Sequence, residues 1–126
     1  MRPHRLIPFL IALTVGCSTQ PTPAPQVSFD PEKASTALVT ALDAWKKGEA
    51  KALARRSPPI RFQDDDLLAG FRLTDYEIEE PDSPIKLHQD VAVILMLRDA
   101  RGKSVRREAR YQVGTEPKLT VLRSDR

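Results

Sequence analysis

The residues best suited to acid–base chemistry lie in the middle of the chain. Asp75, Tyr76, His88 and Asp90 offer carboxylates, a phenol and an imidazole that could act as general acids or bases. His88, however, stands between a proline-rich turn and an apolar segment, a position typical of a loop or a strand edge. We therefore expect His88 to be a structural or surface residue, and the sequence predicts no catalytic residue.

An acidic run offers oxygen ligands of the kind that calcium prefers. Asp64–Asp66 nevertheless lacks the alternating spacing and the glycine of a calcium-binding loop. The simpler prediction is that it caps a short helix containing Leu67 and Leu68. After the first sixteen residues His88 is the only histidine and Cys17 the only cysteine, so metal sites built on several such ligands are excluded. We predict no metal and no other cofactor.

Three arginines and a tyrosine on one predicted strand are the candidates for binding. Arg106 and Arg110 alternate with Glu108, a pattern typical of a solvated sheet face, which beside apolar neighbours could also rim a surface that docks a partner. Arg107 falls on the opposite face with Tyr111. There it could bind an anion in a concavity, or extend its guanidinium to water at the sheet margin.

The sequence before these strands predicts helices. Asp30 can cap a helix, Pro31 suits its first position, and Glu32 complements the positive end of its dipole. One apolar stripe at spacings of three and four follows, formed by Ala34, Ala37, Leu38, Ala41, Leu42 and Trp45. Gly48 ends this helix, and residues 49–56 predict a short second one.

The sequence pattern in the second half of the domain predicts antiparallel strands. Segments 73–80, 90–98 and 118–123 have strand character, and residues 99–102 match a type I turn that ends on glycine. This hairpin sets a register in which Leu97 faces Val105 and Val91 faces Tyr111. We expect an α+β fold in which N-terminal helices pack on a curved antiparallel sheet of about four strands.

The charge balance argues against nucleic-acid binding. Twenty basic residues oppose seventeen acidic ones, but two of the basic residues, Arg2 and Arg5, lie in the first sixteen positions. Without them eighteen basic residues face seventeen acidic ones, so the rest of the chain is nearly neutral. Proteins that bind nucleic acids rely on an excess of lysine and arginine to contact phosphates.

The first sixteen residues have the organisation of an export signal. Arg2 and Arg5 precede an apolar run at positions 6–15, and the small residue Gly16 precedes Cys17. The run would span roughly 15 Å as a helix, about half of the hydrocarbon core, so it does not predict a permanent membrane span.

The segment Thr14-Val15-Gly16-Cys17 resembles the lipobox of bacterial lipoproteins, although Thr14 replaces the usual leucine. The resemblance implies cleavage between Gly16 and Cys17 and lipidation of Cys17, which anchors the mature protein to a membrane. At least two acyl chains are needed for stable anchoring, and a lipidated cysteine of this type carries them. Because Ser18 is not the aspartate associated with inner-membrane retention, the resemblance favours the periplasmic side of the outer membrane.

The chain then divides into a cleaved signal (residues 1–16), a lipidated cysteine with a proline-rich tether (17–29) and one domain (30–126). Prolines 21, 23 and 25 favour an extended chain, so the twelve residues from Ser18 to Phe29 would reach roughly 35 to 40 Å from the lipid. With one cysteine, an intramolecular disulfide is excluded.

The order of helices and strands resembles the cone-shaped NTF2-like or cystatin-like α+β class. Residues 44–48, 57–60, 73–78, 111–115 and 117–121 are also similar to small bacterial envelope proteins of uncharacterised function. The class includes enzymes, ligand-binding pockets and docking modules, so it implies a fold without a function.

The favoured hypothesis is a lipid-anchored envelope protein that docks another envelope protein without catalysis. A small-ligand pocket lined by Arg107 and Tyr111 is the alternative. A small hydrolase or isomerase that uses His88 and Asp75 is the least favoured of the three.

Overall fold

The computed structural model describes residues 28–125. The signal segment, Gly16, Cys17 and most of the predicted tether lie outside the described residues. Within them the chain forms an α+β domain with one long helix and one curled sheet.

The long helix α1 spans Pro31–Lys46 and begins as the sequence predicts. The Asp30 carboxylate accepts hydrogen bonds from the backbone N–H groups of Glu32 (3.0 Å) and Lys33 (3.2 Å). The predicted apolar stripe is confirmed, because the buried residues of α1 are Ala34, Ala37, Leu38, Ala41, Leu42 and Trp45. A single 3₁₀ helix, Ala50–Ala54, replaces the predicted second helix and buries Leu53.

The sheet has five strands, one more than the sequence predicts. The strands are β1 (Ile60–Gln63), β2 (Arg72–Ile78), β3 (Val91–Arg98), β4 (Ser104–Gly114) and β5 (Leu119–Arg123). Their order is β1-β5-β4-β3-β2, and all neighbours are antiparallel except β1 and β5. The sheet is therefore mixed, whereas the sequence predicts an antiparallel one. A short helix α2 (Asp65–Leu68) connects β1 to β2.

The predicted register of the β3–β4 hairpin is confirmed. Leu97 pairs with Val105, Val93 with Ala109, and Val91 with Tyr111. The turn closes with the Gly102 N–H donating to the Asp99 carbonyl at 3.0 Å, and Gly102 adopts a φ of +84°, which glycine accommodates without a steric penalty. Local turn chemistry thus set the alignment of the two longest strands.

The strand β1 is the element that the sequence did not reveal. It has only four residues, follows two prolines, and pairs Ile60 with Leu119 and Phe62 with Val121, which lie 59 residues further along the chain. A strand this short gives little periodic signal, and its partner is set by long-range packing. The predicted strand count was therefore too low.

Candidate functional site

The strand register divides the predicted binding residues between two faces of the sheet. On β4, Arg106 and Arg110 point away from α1 and lie opposite Met96 and Ala92 of β3. Arg107 and Tyr111 belong to the other face, which α1 covers, because side chains alternate along a strand. The four residues therefore cannot form one site.

The concave face of the sheet is filled by the hydrophobic core. Trp45 is 4% exposed and packs edge-on against Phe62 at 6.0 Å between ring centroids, and Phe62 in turn lies 6.2 Å from the ring of Tyr111. The Trp45 indole N–H, which needs a partner when buried, donates to the Phe71 carbonyl at 3.0 Å. Aromatic side chains thus occupy the space in which a cone-shaped pocket would hold a ligand.

Tyr111 belongs to this core and has no exposed surface. Its hydroxyl donates a hydrogen bond to the Asp64 carboxylate, which is also buried. Burial, together with the Asp64 charge and this hydrogen bond, raises the pKa of Tyr111 well above its usual value. Tyr111 is therefore a neutral donor whose hydroxyl faces the protein interior.

Arg123 is the centre of a buried ionic cluster that the sequence analysis missed. Its guanidinium lies 3.1 Å from an Asp64 oxygen and 2.8 Å from an Asp66 oxygen, and it also pairs with Asp125. The side chains of Arg123 and Asp64 are 6% and 0% exposed. Together with Tyr111, these four charged residues form what we call the Arg123 cluster.

The electrostatics of the Arg123 cluster favour the ionised forms of Arg123 and Asp125. Partial burial alone would lower the pKa of Arg123, but its bonds to Asp125 and Asp66 and the Asp64 charge outweigh burial and raise that pKa above its usual range. Burial alone would raise the pKa of Asp125, yet the hydrogen bonds from Arg123 and from the Arg110 backbone N–H lower it. The cluster holds its charges through internal partners, which is the arrangement expected of a structural ion network.

A signal for this cluster was present in the sequence. Val121 and Arg123 are two residues apart on one strand, so they must share a face, and Val121 is apolar and buried. An arginine at a core-facing position implies a buried counter-ion, and Asp64 belongs to the acidic run for which the sequence predicts a capping role. That role is confirmed, since Asp64 accepts hydrogen bonds from Asp66 N (2.8 Å) and Leu67 N (3.1 Å).

Arg107 lies at the margin of the Arg123 cluster. Its Nε atom is 3.4 Å from an Asp66 oxygen, its guanidinium lies 5.6 Å from the Phe71 ring centroid, and 43% of the side chain is exposed. This geometry matches the predicted extension of the guanidinium toward water at the sheet margin.

The residues considered for acid–base chemistry do not converge. Asp75 pairs with Lys46 at 3.4 Å and lies opposite Met96, near the end of β3, whereas the exposed His88 precedes the start of β3 with a φ of +64°. From Met96 back to Val91 the strand covers five residue steps, or about 17 Å. His88 and Asp75 thus belong to opposite ends of the β2–β3 pair.

Tyr76 and Asp90 are each engaged by residues of the domain itself. The Tyr76 hydroxyl donates to Asp43 at 2.7 Å, and burial together with that bond raises the pKa of Tyr76. Asp90 accepts hydrogen bonds from Ser124 at 2.7 Å and Gln112 at 3.1 Å, which lower its pKa. Both residues link neighbouring elements of the fold.

Two grooves lie beside the N-terminal half of α1, and the first of them reaches the concave-face residues Leu38, Ile78 and Val91. One, of about 350 Å³, is bounded by Ser35 and by the loop that follows β2. The other, of about 660 Å³, is bounded by Lys33, Pro58 and Pro117. Neither groove is lined by Arg107 or Tyr111, so the predicted ligand-binding pair has no cavity of its own among these grooves.

The outer face of the sheet is open to solvent and is the candidate functional surface. Its centre is an apolar row on β3 formed by Ala92, Ile94 and Met96, and Met96 is 41% exposed. Arg106, Glu108 and Arg110 of β4 border this row, and the side chains of Arg106 and Glu108 are 55% and 74% exposed. An apolar row bordered by charged side chains is the composition of a surface that can dock another protein.

Within residues 28–125, histidine, cysteine and acidic side chains form no group of three that could hold a metal ion. In the same part of the chain, no helix combines the length and apolarity that crossing a bilayer requires. No protein-family model, curated protein or solved structure matches this chain.

Proposed function

We propose that the protein is a lipid-anchored component of the bacterial cell envelope that docks another envelope protein through the outer face of its sheet. The observation that carries the docking role is the contrast between the two faces: the concave face is filled with side chains, and the outer face presents an apolar row to solvent. A domain with a filled interior interacts with other molecules through its surface.

The anchoring part of the proposal comes from the sequence before the domain. A charged segment, an apolar run and Gly16-Cys17 have the organisation of a lipoprotein signal, and the proline-rich residues that follow form a spacer. Lipidation of Cys17 keeps the domain within tether reach of a membrane, and Ser18 favours the periplasmic side of the outer membrane. Confinement of this kind raises the effective concentration of partners in the same compartment.

The fold assignment within the α+β class is part of the same proposal. One long helix that lies across a curled sheet supports the NTF2-like or cystatin-like class. The small-ligand alternative loses its main support, because Tyr111 donates to Asp64 and Arg107 contacts Asp66.

Incorporation of a clickable palmitate analogue tests the anchor. We expect label and membrane retention in the wild type, and the loss of both in Cys17→Ser. A wild-type protein that is unlabelled and soluble would contradict the anchored form of the proposal.

Site-specific photo-crosslinking in cells tests the docking role. A photoreactive amino acid at Met96, at the centre of the outer face, should yield a defined crosslinked protein. The same group at Glu49, an exposed residue beside the 3₁₀ helix, is the matched control and should not yield it. Equal crosslinking patterns at both positions would argue against docking through the outer face.

A further inference from the structure

The strand register brings several arginines together at one end of the outer face. Arg72 of β2 lies directly opposite Arg98 of β3, and Arg106 of β4 is opposite Met96, on the diagonal from Arg98. Side chains directly opposite one another on antiparallel strands have Cβ atoms about 5 Å apart, and like charges there destabilise the sheet. The pairing of Arg72 with Arg98 therefore lowers the stability of the domain when no partner is bound.

The β3–β4 turn adds two further basic residues at the same end. Arg101 and Lys103 flank Gly102, and their backbone N–H groups both donate to the Asp99 carboxylate, at 2.9 and 2.8 Å. All five basic residues of this end are exposed. We call this set the arginine end, which consists of Arg72, Arg98, Arg101, Lys103 and Arg106.

Within the described part of the chain, the acidic residues nearest to the arginine end leave Arg72 and Arg98 without a salt bridge. Asp75 pairs with Lys46 at 3.4 Å, and Asp99 accepts the two turn N–H groups. Glu108 reaches only Arg106, at 3.8 Å. Within residues 28–125, Arg72 and Arg98 form no salt bridge.

The concentration of charge is local and does not follow from the composition of the chain. Basic residues exceed acidic ones by three over the whole sequence, and two of the basic residues lie in the first sixteen positions. Asp99 and Glu108 offset two of the five exposed basic side chains at this end, which leaves an excess of three positive charges at one end of a nearly neutral domain. This excess produces a positive potential that an anionic partner would experience.

The residue types favour a protein partner. Arginine and methionine are enriched at protein interfaces while lysine is depleted, and four of the five basic residues are arginines beside the exposed Met96. The guanidinium group binds carboxylates in a bidentate geometry, and it loses less on desolvation than an ammonium group.

The position of the arginine end relative to the chain entry disfavours the anchoring membrane as its target. The chain enters the domain at Asp30, whose N–H donates to Thr115 Oγ1 at 3.1 Å, directly beyond the last residue of β4. The arginine end lies at the other end of β4, ten residue steps away, or on the order of 30 Å. A tether that enters at Asp30 therefore leaves the arginine end directed away from its own attachment point.

We propose that the arginine end binds a carboxylate-rich surface of a partner protein, with Met96 in apolar contact beside it. This inference rests on the proposed docking function and specifies its partner chemistry. Arg72, Arg98 and Arg106 are the residues that recognise the partner. Arg101 and Lys103 add to the positive electrostatic potential at the same end.

Binding of a fluorescent deca-glutamate peptide to the full-length protein, followed by anisotropy, tests the inference. The variant Arg72→Gln/Arg98→Gln/Arg106→Gln should weaken binding by about tenfold, because three exposed charge contacts are lost. The matched control Lys33→Gln/Arg56→Gln/Lys118→Gln removes the same charge at the opposite end, around the groove beside Pro58, and should change binding less than twofold. High salt should abolish the difference between the two variants.

Three results would overturn the inference. Equal weakening by both triple variants would mean that net charge alone drives binding, and unchanged binding by the arginine variant would exclude this surface. Phosphatidylglycerol vesicles that bind more tightly than the peptide, and lose that binding only in the arginine variant, would assign the surface to a membrane instead.

The crosslinking experiment at Met96 separates this inference from the docking function. Loss of the crosslinked protein in the arginine variant, with retention in the control variant, supports both. A crosslinked protein retained by both variants would overturn the partner chemistry while the docking function stands. No crosslinked protein at Met96 in the wild type would contradict the docking function itself.

Discussion

The same sheet places arginines in two opposite environments. Arg123, on the concave face, is 6% exposed and contacts Asp64, Asp66 and Asp125. Arg72 and Arg98, on the outer face, are exposed and lie opposite one another. A one-residue difference in strand position decides which environment an arginine meets, because neighbouring side chains point to opposite faces.

The role of an arginine in this sheet depends on whether acidic side chains lie close enough to pair with it. In the Arg123 cluster the carboxylates come from the start of α2 and from the segment after β5, and they satisfy the guanidinium inside the protein. At the arginine end, Glu108 contacts only Arg106, and within residues 28–125 Arg72 and Arg98 form no salt bridge. The first arrangement stabilises the fold, and the second is available to a partner.

The largest expected effect is the removal of the buried cation. Arg123→Met leaves the buried Asp64 without a counter-charge and Asp66 with Arg107 alone, and should lower the free energy of unfolding by about 3–5 kcal/mol. Urea denaturation measures this loss. Arg106→Met, the exposed counterpart, should change stability by no more than about 0.5 kcal/mol. Similar losses in the two variants would break the distinction between the faces.

A second, smaller effect concerns the two tyrosine hydroxyls that donate to carboxylates. Tyr111→Phe removes the donor to the fully buried Asp64 and should cost about 1–3 kcal/mol, because the buried acceptor loses a partner. Tyr76→Phe removes the donor to the half-buried Asp43 and should cost less, about 0.5–1.5 kcal/mol. Thermal and urea unfolding of both variants compare the two sites, and the reverse order would contradict the burial argument.

Unfolding at acidic pH should measure how much the ionised Asp125 of the Arg123 cluster stabilises the fold. The pKa of Asp125 is lower in the folded protein than in the unfolded chain, so its stabilisation is fully present above its unfolded value of about 3.9. This stabilisation is lost as the pH falls through the folded pKa. Asp125→Asn should therefore lower stability near neutral pH by about 1 kcal/mol and reduce its decline below about pH 4. Urea unfolding across that pH range measures the slope, and an unchanged slope in the variant would refute the assignment.

The smallest effect is expected at the arginine end and has the opposite sign. Arg98→Gln relieves the repulsion with Arg72 and should leave the domain equally stable or more stable by up to about 0.5 kcal/mol. Arg110→Gln, which lies opposite the uncharged Ala92, is the control and should have no such gain. Thermal unfolding at low and high salt measures the difference, and a clear loss of stability in Arg98→Gln would show that this arginine supports the fold.

Local features of the sequence were sufficient to predict α1 and the β3–β4 hairpin. The helix follows from Asp30, Pro31 and an apolar stripe at spacings of three and four, and all six predicted stripe residues are buried. The hairpin follows from a turn that ends on Gly102, which sets the register of every pair from Arg98–Ser104 to Val91–Tyr111. Both are governed by interactions between residues close in the chain, so the local pattern contains the necessary information.

Other features required the tertiary structure, because their partners are far apart in the sequence. The pairing of β1 with β5 joins Ile60 to Leu119, and the Arg123 cluster joins Asp64 to Arg123 over 59 positions. The opposition of Arg72 and Arg98 likewise depends on how β2 pairs with β3 after a bulge near Thr74.

The amino-acid sequence by itself determined the predicted lipoprotein signal, the start and buried face of α1, and the alignment of β3 with β4. Only the tertiary structure decided that the concave face is filled, that Tyr111 and Arg123 satisfy buried carboxylates, and that five basic residues meet at one exposed end. The physical reason is that periodicity and turn chemistry act over a few residues, whereas burial and charge neighbourhoods depend on which distant segments pack together.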